Sequence, residues 1–204
     1  NNDPESYKIY KKHATKHTSW VLCANLPLGN KWNTALKACA DKDFDYLLPL
    51  GSDDLINKEV ITTYYRLTKR GYNYLGLANM YVYNSQTKEA KFWKGYELNR
   101  KGESLGAARF IPRFVLEKAK WHIWDSERNN ALDASLTTTM KRFEKELKPA
   151  VLSCYDTNMI LVDIKSEVNI WPYDTFLGIP VSNFAEVINK QFPKDISKHF
   201  LSGF

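Results

Sequence analysis

Asp45-Tyr46-Leu47-Leu48-Pro49-Leu50-Gly51-Ser52-Asp53-Asp54 is the stretch on which the fold turns. Residues 44–50 form an apolar run that reads as a buried strand, and it stops in a glycine turn with two adjacent carboxylates. Neighbouring carboxylates repel one another unless a cation or hydrogen-bond donors compensate, so the sequence has little structural reason to place them there. Immediately after the turn, Ile56, Val60, Tyr64 and Leu67 recur at helical spacing, and Lys69-Arg70-Gly71 supplies a basic last turn and a glycine stop. Strand, acidic turn and helix in that order suggest an α/β sheet, in which ligands bind beyond the carboxyl ends of the strands.

Working outward, residues 7–16 are polar and helix-compatible, and the apolar run 20–24 predicts a second buried strand. Pro27-Leu28-Gly29 turns the chain, after which Trp32, Ala35, Leu36 and Cys39 mark a helix over 31–40. Downstream, residues 72–83 predict one or two strands, with Asn84-Ser85-Gln86-Thr87 as a hairpin turn into 90–93. Pro112 opens a helix over 113–119. Leu132, Leu136, Met140, Phe143 and Leu147 trace a longer amphipathic helix. A late hairpin is expected from 159–164 and 168–171, and Phe184, Val187, Ile188 and Phe192 line a last helix. The expected architecture is an α/β sheet, parallel early and mixed later, flanked by helices.

With 44% hydrophobic residues, six Trp, twelve Tyr and ten Phe in 204 residues, the chain has enough apolar side chains for an ordinary core, which excludes a disordered protein. No run approaches the roughly 18 consecutive apolar residues of a membrane span. The N-terminal residues lack the basic head and apolar core of a signal peptide. Three cysteines without CxxC spacing argue against a disulfide framework and against a zinc site. A reducing, cytoplasmic location is the expectation. The formal charge of +6, spread along the chain, favours anionic partners such as nucleotide diphosphates or nucleic acid, and equally describes a solvated basic surface.

The carboxylates of the turn allow two readings. Hard divalent cations, Mg2+ or Mn2+, use one or two protein carboxylates and complete their shell with water and phosphate oxygens, and such an ion would stabilise a departing diphosphate. Alternatively, the aspartates cap a helix that begins at Leu55. His13 and His17, four residues apart, have no third ligand in sight. Trp121 and Trp124 suit either a sugar face or the core.

Taken together, Asn25-Leu26-Pro27-Leu28-Gly29-Asn30-Lys31-Trp32-Asn33 and the 45–54 stretch resemble family 2 glycosyltransferases of the GT-A fold, the phage-encoded branch in particular. In that family an Asn- and Gly-containing loop opens a helix, and the strand that follows ends in an Asp-x-Asp-like motif. Here Gly51 stands in place of the usual first Asp. The resemblance, over about residues 7–140, implies a GT-A-like, Rossmann-like mixed sheet with Asp54 as metal ligand for Mn2+ or Mg2+ and Asp53 as a ribose or sugar contact. It further implies substrate-binding roles for Asn25, Gly29, Lys31, Asn33 and Ser52. Gly106-Ala107-Ala108-Arg109 looks like the acceptor-side loop, which makes Arg109 a substrate contact. The region from Trp124-Asp125 to Leu132-Asp133 looks like the source of the catalytic acid residue. Asp133 is then the expected base, with Asp125 and Glu127 behind it and Trp124 on the sugar. Lys165, two residues after Asp163, would neutralise departing charge at a diphosphate or pair with Asp163 at the surface.

The function expected from these readings is transfer of a sugar from a nucleoside-diphosphate sugar to a hydroxyl acceptor, on a glycan, a protein or a modified nucleic acid, with inversion. A non-catalytic glycan- or nucleic-acid-binding derivative of the fold and a nucleotidyltransferase are the alternatives. The core would span 1–150, with 151–204 packed on it as a hairpin and helix. The resembled family opens with a strand, helix and strand, and Asn1 corresponds to the loop just after them, so the first two strands of the fold are expected to come from an N-terminal fragment or companion chain. If the chain is phage-encoded, its setting is the host cytoplasm.

Overall fold

The computed structural model describes residues 3–155 and 157–202. The protein is a mixed α/β protein that, among the described residues, has seven α-helices and a five-stranded mixed sheet. The chain divides into two compact units, Asn1–Tyr46 with Pro112–Glu144 and Leu47–Ile111 with Lys145–Phe204.

The first unit opens with α1 (Pro4–His13), which Asp3 caps by accepting from the Ser6 amide at 3.0 Å. The apolar run 20–24 forms no strand; instead Trp20 stacks edge-on against Tyr7 and tilted against Tyr10, at 5.3 and 5.5 Å. A strand exists only where a neighbour supplies its ladder, and no described strand pairs with this run. The expected helix at 31–40 begins three residues earlier, as α2 (Leu28–Lys37). Of the run 44–50 only β1 (Tyr46–Leu47) is strand.

In the second unit, β2 (Asp54–Ile56) contains Asp54 and Ile56, both expected at or beyond the strand end, and α3 (Lys58–Thr68) starts after Asn57. The aspartates therefore do not cap that helix. Next come β3 (Tyr74–Leu77), β4 (Met80–Asn84) and β5 (Ala90–Trp93); β4 and β5 are joined by the expected Asn84 turn, whose carboxamide oxygen accepts from the Gln86 and Thr87 amides. β6 (Ile111–Pro112) pairs with β1, and the chain then returns to the first unit with α4 (Arg113–Lys118), whose Pro112 N-cap lacks an N–H that would need a partner.

The amphipathic stripe at 132–147 forms α5 (Leu132–Lys141), which ends before Leu147. β7 (Pro149–Leu152), β8 (Leu161–Lys165), β9 (Ile179–Pro180), α6 (Phe184–Gln191) and α7 (Lys194–Ser202) complete the chain. Residues 168–171 form no strand, so the expected late hairpin is absent; β8 instead lies between two early strands.

The sheet order is β2-β8-β4-β5-β9, with only β8–β4 parallel, and β3 pairs β7 in parallel separately. The expectation of a parallel early half is thus corrected: both parallel pairs join an early strand to a late one, because the long intervening chain supplies the crossover that parallel pairing needs. One face of the sheet packs Val162, Tyr83 and Ala90 against Phe184, Ile188 and Phe200 of α6 and α7. The other buries Val82, Leu161 and Met80 with Val60 and Tyr64 of α3.

Buried asparagines tie distant segments together where no ladder can. Asn57 (3% exposed) accepts from the Ile160 amide and donates to the Asn158 carbonyl. Asn79 accepts from the Cys154 amide and donates to the Ser153 hydroxyl. In the first unit, Asn33 (2% exposed) accepts from the Ile123 and Trp124 amides at 3.1 and 3.2 Å and donates to the Trp124 carbonyl at 2.7 Å. Each carboxamide supplies one acceptor and one donor, as a peptide group would. Asn33→Ala leaves these backbone groups buried without partners and is expected to destabilise the fold by about 2 kcal/mol or more in urea unfolding. A change within about 0.5 kcal/mol, ordinary for a surface substitution, would contradict that role.

Candidate functional site

The acidic turn is built by the β2–β8 ladder. Asp54 pairs with Asp163 across it, in the register that continues Leu55↔Val162 and Ile56↔Leu161. The Ile164 amide donates to the Asp53 carbonyl (2.8 Å) and the Asn57 amide to the Ile160 carbonyl (3.1 Å). These bonds fix Asp54↔Asp163 as a non-hydrogen-bonded pair, the closer of the two antiparallel spacings, with both side chains on one face. The same row continues through Val82 to Lys91 by the β8–β4 and β4–β5 registers.

Each acid of this group is held differently. Asp163 is 8% exposed; its Oδ2 accepts from the Lys165 ammonium at 2.7 Å, while Oδ1 is buried with no hydrogen-bond partner. Lys165, next along the same strand face, is itself 5% exposed and lies 5.0 Å from the Phe176 ring centre. The Asp163–Lys165 pair anticipated from the sequence is therefore formed, but inside the protein rather than at the surface. Asp54 Oδ2 accepts from the Gly51 amide at 2.6 Å. Asp53 Oδ2 accepts from the Asn169 carboxamide at 2.7 Å, which anchors the segment after β8 to the turn. Ser52 is exposed at the tip.

Gly51 fits this arrangement because a Cβ there would lie 2.5 Å from Asp53 Oδ1 and 2.9 Å from Asp54 Oδ2. Any side chain at 51 must push the two carboxylates aside.

Burial pushes the Asp54 carboxyl up to about 7, opposed by the Gly51 N–H and reinforced by the charges of Asp53 and Asp163. Burial likewise raises Asp163 to about 6, against the pull of Lys165. One ammonium thus faces three carboxylates. Among the described residues no three His, Cys, Asp or Glu side chains gather in a metal-ligand cluster. The donors present, carboxylate oxygens with one buried and unpartnered, suit a hard divalent cation bound mainly by water and ligand oxygens.

The other residues singled out in the sequence fall in two groups. Arg109, in the second unit, is 1% exposed, and its guanidinium donates to the Ser104 and Leu105 carbonyls, both at 2.7 Å. It braces its own loop instead of presenting a charge to an acceptor. In the first unit, Gly29, Asn33, Trp124 and Asp125 come together. A Cβ on Gly29 would lie 1.9 Å from the Asp125 carbonyl oxygen, and the Gly29 amide donates to the Arg128 carbonyl at 2.8 Å. Trp124 is 5% exposed and packs on Trp32 at 5.3 Å, so its ring belongs to the core rather than to an open sugar face. Asn33 is the buried clamp described above. Asn25 is exposed and Lys31 half-buried.

Asp125 is exposed, and the Glu127 amide followed by the Arg128 side chain hold its carboxyl below the usual carboxylate range. Its own amide donates to Ser135 Oγ at 2.7 Å, tying it to the first turns of α5. Asp133 lies half-buried in the first turn of that helix, whose N-cap is Ala131. His13 closes α1 and His17 lies in the turn beyond it, so the two do not share a helical face. Trp121 stacks edge-on with Phe44 at 6.2 Å, and Arg113 lies over both rings.

No protein-family model matches the chain, and no curated protein matches it. No described helix is long and apolar enough to cross a membrane.

The raised acids set a pH dependence. Their folded-state values lie above the unfolded 3.8, so the folded protein holds more protons between about 4 and 7, and stability is lost as pH rises through that window. Asp54→Asn removes one of the opposed charges while keeping an acceptor for the Gly51 amide. In urea unfolding with EDTA it is expected to match wild type near pH 4 and to exceed it at pH 8 by on the order of 1 kcal/mol. A variant less stable than wild type at pH 8 would contradict the reading.

Proposed function

We propose that the protein is a divalent-metal-dependent glycosyltransferase that moves a sugar from a nucleoside-diphosphate sugar to a hydroxyl acceptor, on a GT-A-like framework. The observation that supports this best is the acidic turn itself. Its carboxylates sit opposed and partly buried at an end of the sheet, at a stability cost that a bound cation would offset. The resemblance of 25–33 and 45–54 to family 2 glycosyltransferases adds the reaction class.

In this reading Asp54 holds Mn2+ or Mg2+, which when bound supplies positive charge to the diphosphate leaving group. Asp53 takes the ribose or sugar hydroxyls. Lys165 adds a second positive charge near the diphosphate, held in a water-poor setting where charge acts strongly. For the base, the resemblance implies Asp133, whose carboxylate would take the proton of an acceptor hydroxyl. Asp125 is the weaker base because its partners stabilise the carboxylate form. Asn33, Trp124 and Arg109 support the scaffold and need not touch substrate.

A panel of nucleotide sugars, assayed for hydrolysis and for thermal shift with and without Mn2+, tests the assignment. Asp54→Ala should abolish Mn2+-dependent binding of a nucleoside diphosphate, and unchanged affinity would remove Asp54 from the site. Asp133→Asn should keep the fold and donor binding yet reduce transfer by about a hundredfold or more, since amide and carboxylate differ mainly in basicity. Transfer near the wild-type rate would move the base to Asp125 or Glu127.

A further inference from the structure

The resemblance offers one metal ligand, Asp54, and no role for Asp163. Yet Asp163 is the more deeply buried of the two, and its Oδ1 has no hydrogen-bond partner. A buried carboxylate oxygen without a donor loses its hydration uncompensated, so it calls for an occupant. The β2–β8 register places this side chain directly opposite Asp54, on the same sheet face and in the closely spaced type of pair.

We propose that Asp54 and Asp163 together form a two-carboxylate site for a hard divalent cation bridging β2 and β8. The inference rests on the metal-dependent reading above and extends it to a residue 109 positions further along the chain. Three features support it. First, both acids are fixed on rigid strands, where ligand geometry is held better than on loops. Second, Asp53, Asp54 and Asp163 against Lys165 leave two uncompensated negative charges when all are ionised, the charge that one divalent ion neutralises. Third, Asp163 Oδ2 is already satisfied by Lys165 while Oδ1 is not, so a cation at Oδ1 need not displace the ammonium. Two carboxylates are the usual protein share for Mg2+ or Mn2+, with water and phosphate oxygens completing the shell. Asp53, whose carboxylate is engaged by Asn169, remains outside this pair.

The test uses Mn2+ alone, titrated into the full chain and followed by loss of the free-ion EPR signal. Asp163→Asn by itself leaves a buried ammonium unpaired and is at risk of misfolding. The decisive variant is therefore D163N/K165M, which removes both charges and is checked for fold by circular dichroism. Wild type should bind one Mn2+, and Asp54→Asn and D163N/K165M should each weaken binding about tenfold or more. Wild-type affinity in the folded double variant, or no Mn2+ binding by wild type, overturns the two-carboxylate site. The outcomes separate this inference from the reaction assignment. Mn2+ binding that needs both acids, without turnover of any nucleotide sugar, keeps the site and removes the glycosyltransferase reading. Mn2+-dependent turnover with undiminished Mn2+ binding by D163N/K165M does the reverse.

Discussion

The pairing of β2 with β8 puts two aspartates directly across from one another in the tighter kind of antiparallel pair, and much else in the second unit answers to that placement. Like charges so opposed disfavour the sheet, and partial burial removes the water that would screen them. The surrounding structure supplies partial relief from three directions: the Gly51 amide on Asp54, the Lys165 ammonium on Asp163 and the Asn169 carboxamide on Asp53. None of these reaches Asp163 Oδ1. A sheet held by apolar packing on both faces tolerates such a defect, because α6 and α7 on one side and α3 on the other stabilise the strands independently of the acids. Natural proteins place conflicts of this kind at functional sites, where stability is given up for a poised charge.

The strands are short, from two to five residues, and leave backbone groups that the sheets cannot serve. Asn33, Asn57 and Asn79 take over that task, each presenting a carboxamide edge to a segment 74 to 103 residues away. Asn57 is the most consequential for the site. It clamps the Ile160 amide just before β8 begins, and so it fixes the register that sets Asp163 opposite Asp54 and not one residue off. A one-residue slip would turn Asp163 to the face where Val162 and Ile164 now pack against α6 and α7, exchanging two apolar side chains for two charges.

Local patterns in the sequence were sufficient for features that depend on local physics. The α3 stripe Val60, Tyr64 and Leu67, the Asn84 turn and the α5 stripe Leu132, Leu136 and Met140 all lie where periodicity and turn chemistry put them. The failures share one cause, which is that a strand requires a partner that its own residues do not specify. Residues 20–24 and 168–171 have strand composition and no ladder, while Pro149–Leu152, unremarkable in composition, becomes a strand because β3 lies beside it. The same limit applies to the site. Asp53 and Asp54 stood out because they interrupt a local pattern, whereas the opposition of Asp163 to Asp54 exists only through register. A signal was nevertheless present in Leu161-Val162-Asp163-Ile164-Lys165, where an acid and a base alternate with apolar residues in a run that is buried on both faces. Polar residues inside such a run must find partners, and the nearest were each other. Asn33, Trp124 and Arg109 illustrate the converse, since residues suited to ligand contact by type are equally suited to closing buried hydrogen bonds.

Gly51 links these strands of argument. A motif of the Asp-x-Asp kind would place an acid near the start of the turn, and in this chain that position is glycine. The structure gives a steric reason: a Cβ at 51 would meet the Asp53 and Asp54 carboxylates, and the Gly51 amide itself serves as a donor to Asp54. A side chain at 51 would therefore displace the two carboxylates from the positions they hold. A further carboxylate facing Asp54 comes from outside the turn, on the neighbouring strand, in Asp163. The Gly51 amide closes the turn over Asp54, and the further acid opposite Asp54 stands on β8, across the ladder.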